Sequence, residues 1–126
     1  MSNTLAMQII GAVLFLLGTA KMSIPVQFNE KIFGEVPEAE VPKLASMRMI
    51  LGGNIMTVAL INLICSFTVV SDEATQSILM ATAVGLLVFW GAIIAAKLRG
   101  FIDHIPVPPM VLLPVLALVG LAGAFM

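Results

Sequence analysis

The sequence predicts an all-α fold of one particular kind, a polytopic membrane protein built as an antiparallel four-transmembrane-helix bundle. Three observations predict it. Hydrophobic residues make up 60% of the 126 and charged residues only 10%, with a mean hydropathy of +1.13. A water-soluble domain carries about 25% charged residues, so this chain lacks the polar surface to cover a globule in water. The apolar residues fall in four uncharged runs, near 5–20, 49–70, 74–96 and 105–126, and the last three reach the roughly 20 residues a helix needs to cross the hydrocarbon. Those runs are continuous rather than alternating, which argues against membrane strands; these would also have to close a barrel of at least about eight. One domain results, with spans at about 5–23, 44–70, 74–96 and 105–126 and an interfacial segment at about 24–34.

The first span is short, but Lys21 can snorkel and the helix can continue to Ser23. Gly18-Thr19-Ala20 imitates a signal-peptidase site. No Lys or Arg precedes the apolar run, however, so an uncleaved first helix is expected. In the loop that follows, KMSIPVQFNEKIFGEVPEAEVPK, Ser23 is a candidate cap, Pro25 suits a first turn and Gly34 a stop. Pro25, Phe28 and Ile32 then share one face of a short helix lying in the membrane interface. Glu35, Glu38 and Glu40 precede Pro42, where the second span begins, and acids there suit the helix dipole. They read as a solvated acidic turn or as a docking or cation-binding patch.

The second span holds the polar residues that need explaining. Arg48 lies less than two turns from its start and either snorkels, pairs with a loop acid, or faces a ligand. Asn54 and Asn62 are eight residues apart and form one stripe with Val58 and Cys65. An unsatisfied amide in hydrocarbon costs several kcal/mol, or about that order, so both should face protein, either in interhelical hydrogen bonds or in a polar pocket. Gly52 and Gly53, like Gly11, Gly18, Ala81, Gly85, Gly120 and Ala124, allow close helix approach.

Ser71-Asp72-Glu73 makes a tight hairpin into the third span, which Lys97 and Arg99 close. Asp103 and His104 enter a proline-rich start to the fourth span, inside which Pro114 should produce a kink. All six basic side chains (Lys21, Lys31, Lys43, Arg48, Lys97, Arg99) fall in or beside the first and third loops. The positive-inside rule therefore makes those loops cytoplasmic and puts both termini outside, as expected of a protein of the cytoplasmic, inner membrane.

Composition also narrows function. A net charge of −1 argues against nucleic acid. Cys65 is the one cysteine, which excludes an intramolecular disulfide and a CxxC pair. His104 is the one histidine, and no His/Cys cluster has metal-ligand spacing, so neither a metal nor another cofactor is expected. The nine methionines are scattered and fill gaps rather than bind copper. No Ser/His/Asp or Cys/His arrangement is evident, and the reading leans against an enzyme. A proton-coupled exporter of the small multidrug type needs an acid in its first span, where 5–20 has none.

Three stretches, IPVQFNEKIFG after the first span, RMILGG opening the second and GAIIAAKLRG closing the third, resemble an uncharacterised family of small bacterial four-helix membrane proteins, loosely DoxX-like. The resemblance covers nearly the whole chain. It implies the four-helix fold and singles out Arg48, Gly52 and Gly53, but implies no established activity; Lys97 stands where an arginine is expected. Some DoxX relatives serve as membrane subunits of oxidoreductases, which is analogy only.

Two functions follow as expectations. The first is a non-enzymatic accessory subunit or homo-oligomer in the lipid bilayer, held to a membrane protein partner or a second copy by small and amide residues, with Gly52, Gly53 and Gly85 at the helix contacts. The second is a binder or carrier of a lipidic or anionic small molecule, through a cytoplasmic-side pocket around Arg48 with Asn54, Asn62, Lys97 and Arg99 as its polar cluster.

Overall fold

A computed structural model describes residues 2–100 and 107–125. Five helices run through them, and among the described residues there is no strand. Helix α1 (Asn3–Ser23) is capped by Ser2, whose hydroxyl accepts from the Leu5 amide at 3.1 Å. It runs straight through Ser23, which therefore caps nothing. Ile24, at φ −130° and ψ 55°, both ends α1 and begins α2 (Pro25–Phe33), with Pro25 in the first turn. That proline disfavours helical geometry in the residue before it, which places the break at Ile24. Gly34 stops α2 at φ +73°, a conformation that costs glycine little and other residues more.

A single 3-10 turn (Glu38–Glu40) leads into α3 (Val41–Thr68), with Pro42 in its first turn. Ser71 accepts from the Ala74 amide at 3.3 Å and opens α4 (Asp72–Leu98). Asp72 and Glu73 sit at its positive end and Lys97 at its negative end. Helix α5 (Val107–Phe125) carries Pro114 inside it. Asp103 and His104 lie outside the described residues. Helices α1, α3 and α4 are each long and apolar enough to cross a membrane, whereas the apolar stretch of α5, Met110–Phe125, is shorter.

Side-chain bonds fix how the helices run. The Asn3 amide donates to the Asp72 carbonyl at 3.3 Å and to Thr75 Oγ1 at 3.0 Å, joining the start of α1 to the start of α4. The Gln76 amide donates to the Ala124 carbonyl at 2.6 Å, bringing the end of α5 to the same place. Helices α1, α3, α4 and α5 therefore alternate in direction. The acidic hairpin occupies one end, and the described segments that carry all six basic residues occupy the other.

Packing divides the helices into pairs. Helix α1 lies along α3, and α4 along α5, while α1 also reaches α4 and α5. The shared core holds Met7, Ile10, Leu14, Ala59, Leu79 and Leu113. Where α1 crosses α3 the backbones nearly touch: a Cβ on Gly18 would lie 2.9 Å from the Gly52 carbonyl, and one on Gly52 would lie 2.9 Å from that of Gly18. Gly11 meets Leu63 and Ala59, Gly120 meets Ala83, and Gly123 meets Ala6. Gly53 and Gly85 have nothing within 4 Å of where a Cβ would stand. Helices α3 and α4, joined by the short turn 69–71, touch only sparingly.

Candidate functional site

At the basic end, Arg48 is held by α2. Its Nε donates to Asn29 Oδ1 at 3.0 Å, and Asn29 is only 4% exposed. The partner is a neutral amide where a loop acid was one expectation. This bond, together with the burial of Asn29, ties the short helix onto the start of α3. Lys21, the last basic residue of α1, is 6% exposed and lays its ammonium 5.3 Å from the centre of the Phe28 ring, a cation–π distance. Its Cβ comes within 3.0 Å of where a Gly52 side chain would begin, so the crossing at Gly18 and Gly52 is what buries it. Lys97 and Arg99 stand at the same end but on α4, in its last turn and at its C-cap, and both are exposed. The hydrogen bond of Arg48 thus goes to α2. A shallow pocket of about 330 Å³ lies between α2 and the start of α3, and Glu30 and Glu35 line it beside Asn29 and Leu44. Its ionisable lining is acidic, which suits it poorly to an anion.

The polar residues of mid-α3 lead elsewhere. Because α3 and α4 diverge, a cleft of about 610 Å³ opens between them, with Leu14 and Leu17 of α1 and Leu113 of α5 along its floor. Its walls come from Val58 and Ile61 of α3 and from Ala81, Gly85 and Phe89 of α4, and every residue lining it is uncharged. The volume falls within the roughly 300–1,000 Å³ of small-molecule sites. Asn54, Asn62 and Thr82 supply its polar atoms.

The two asparagines differ. Asn62 is fully buried, and its Nδ2 donates to the Val58 carbonyl at 3.0 Å and to Thr82 Oγ1 at 3.2 Å. A carbonyl can only accept, so the Val58 contact fixes which end of the amide is nitrogen. The oxygen, Asn62 Oδ1, is left buried with no hydrogen-bond partner among the described residues. Asn54 sits two turns nearer the basic end, on the same wall of the cleft, and is exposed there rather than packed against a neighbouring helix. Eight residues of helix separate the two along the cleft by about 12 Å.

Sequence reasoning put Asn54, Asn62 and Arg48 in one cluster with Lys97 and Arg99. The structure sets Asn54 and Asn62 in the cleft and Arg48 outside it, bonded to Asn29. Thr82 was missed, although its hydroxyl in the third span was as legible as the amides of the second. Lys21, expected to snorkel, and Asn29 were missed as buried residues, because the sequence carries no mark of the helix packing that covers them. Among the described residues, no group of three or more His, Cys, Asp or Glu side chains could hold a metal ion. No family model matches the chain, and neither does any curated protein or solved structure.

Proposed function

We propose that this chain is a non-enzymatic, four-pass integral membrane protein that binds a lipid-soluble small molecule in the cleft between α3 and α4. The observation that carries the reading is Asn54, an amide standing open at mid-helix in a cleft lined mostly by apolar side chains. In a bilayer such an amide has no water to turn to, and an apolar cleft with a few fixed polar groups is the usual form of a small-molecule site. In this reading α5 is the fourth pass, α2 lies in the interface, and the end bearing the basic residues faces the cytoplasm with both termini outside. An inner-membrane location and the DoxX-like kinship belong to the same proposal, the latter supported by the three stretches quoted above. Arg48 then holds α2 in place, and the ligand sits deeper than the pocket the sequence suggested.

The test is photo-labelling of the whole protein in nanodiscs with an alkyl-diazirine lipid probe, mapped by mass spectrometry. Labels should concentrate on cleft residues such as Val58, Ile61 and Phe89, and Ala81→Trp, which fills the cleft from its wall, should remove them. Labels spread evenly over the outer faces, around Leu16 and Val88, would overturn the reading, as would labelling that Ala81→Trp leaves unchanged.

A second reading, an accessory subunit or homo-oligomer, is supported by Gly53 and Gly91, which expose helix backbone with nothing within 4 Å of a Cβ position. Bare glycine on a membrane helix lets another helix approach closely. Native mass spectrometry from nanodiscs distinguishes it, since Gly53→Leu would dissociate a complex built there and leave cleft labelling intact.

A further inference from the structure

Among the described residues nothing donates a hydrogen bond to Asn62 Oδ1, and that unmet acceptor selects among ligands. We propose that the cleft takes an uncharged lipid alcohol, a long apolar molecule whose hydroxyl donates to Asn62 Oδ1, with Asn54 as the second polar contact. The inference rests on the reading of the cleft as a ligand site and names its substrate class.

The argument runs from the bonds already made. Asn62 Nδ2 is committed to the Val58 carbonyl and to Thr82 Oγ1, so the side chain cannot turn over without losing the Val58 bond and setting its oxygen against that carbonyl. Its oxygen stays an acceptor, buried and unpartnered. Leaving such a group unmade is the expensive case, whereas supplying its partner recovers the desolvation it has already suffered. In the hydrocarbon, water does not supply that partner. A donor brought by the occupant supplies it, once entry of that molecule parts the side chains that cover Asn62.

The walls then exclude the charged donors. An ammonium or guanidinium would enter a cleft whose lining holds no ionisable residue, where an unpaired charge is far more costly than a neutral hydroxyl. A carbonyl compound such as an ester or ketone offers only another acceptor to Asn62. A hydroxyl both donates and accepts, so it can serve Asn62 Oδ1, and an amide such as that of Asn54 can meet either kind of polar atom along the chain. The cations that could hold an anionic head group, Lys21 and Arg48, are not among the cleft's lining residues. Charge therefore plays no part in this recognition.

The test compares two probes that differ by one proton donor: a long-chain alcohol bearing a diazirine, and its methyl ether. Both are placed in nanodiscs with the full-length protein, and label on the cleft is quantified. The alcohol should label the cleft about fivefold more than the ether, the factor expected for one net hydrogen bond of about 1 kcal/mol. In Asn62→Leu, which keeps the branched shape and removes the acceptor, alcohol labelling should fall to that of the ether. Asn62→Asp guards against misfolding of the leucine variant: it keeps an acceptor oxygen, and a protonated or ionised carboxyl still receives the hydroxyl, so the preference for alcohol should persist. Equal labelling by alcohol and ether in the native protein would overturn the inference while leaving the cleft a lipid site. Failure of both probes to label the cleft would overturn the underlying reading as well. An alcohol preference unchanged in Asn62→Leu would also overturn it, because the discrimination would then come from elsewhere.

Discussion

Gly52 and Gly53 are adjacent in the same helix, yet they should respond oppositely to alanine. A methyl on Gly52 would stand 2.9 Å from the Gly18 carbonyl oxygen, 2.9 Å from Met22 Cγ and 3.0 Å from Lys21 Cβ. Comfortable contacts between such atoms lie at about 3.5–4.0 Å. Methionine can swing its chain aside, but the Gly18 carbonyl belongs to helical backbone and cannot. Relief requires α1 and α3 to part by roughly 0.5–1 Å along their crossing, and overpacking of that kind costs about 1–3 kcal/mol. A methyl on Gly53 meets nothing within 4 Å. Both positions are helix interior, so the gain of about 1 kcal/mol from replacing glycine with alanine applies to each and cancels in the comparison. Gly52→Ala should therefore be less stable than Gly53→Ala by about 1–3 kcal/mol, and Gly53→Ala should equal or exceed the native protein. Equilibrium unfolding in mixed micelles with increasing denaturing detergent, followed through the fluorescence of Trp90, measures the difference directly. A gap under about 0.5 kcal/mol, or one of the opposite sign, would mean that the helices do not cross at Gly18 and Gly52.

Two further outcomes test the ends of the molecule. Arg48→Ala removes the donor to Asn29 Oδ1 and leaves that nearly buried amide without it; the cost should be about 1–3 kcal/mol, and hydrogen exchange should rise over 25–33 while the middle of α3 stays protected. In a Cys65→Ala background, cysteines at Lys31 and Lys97 should react with an impermeant thiol reagent from one face of the membrane and a cysteine at Asp72 from the other, and labelling of Lys31 and Lys97 from opposite faces would break the alternating order of the helices.

Much of this arrangement is legible in the sequence, for reasons that are local. Helix length follows from continuous apolar runs, the stop of α2 from Gly34, its start from Pro25, and the α4 cap from Ser71. Local chemistry also misleads once: Ser23 has a capping side chain, but the restriction that Pro25 imposes falls on Ile24, and the helix ends there. Which helix faces which is not written in the same way. In a soluble bundle an apolar stripe marks the buried face. In a bilayer, lipid and protein interior want the same residues, so leucine at position 14, which is buried, and leucine at position 16, which is 71% exposed, look alike. Only residues that lipid would reject carry the missing information, which is why Asn54 and Asn62 stood out in the sequence while the apolar walls of the cleft did not.

Small residues show why even that information is partial. Gly18 and Gly52 face one another, so two absent side chains let two backbones meet and close a helix pair. Gly85 and Ala81 are equally small, but across from them stand Asn54, Val58 and Ile61, and α1 has already taken α3 as its partner. Pairing α1 with α3 and α4 with α5 leaves the α3–α4 seam as the one that opens, and missing side chains on α4 then make space rather than contact. The same residue type thus closes one seam and leaves another open according to what stands opposite, which spacing along a single helix does not reveal. A seam left open by accident would be lined only by groups at ease in hydrocarbon. This one holds two asparagines and a threonine, and the polar atoms that its own helices fail to satisfy are what the proposed ligand site rests on.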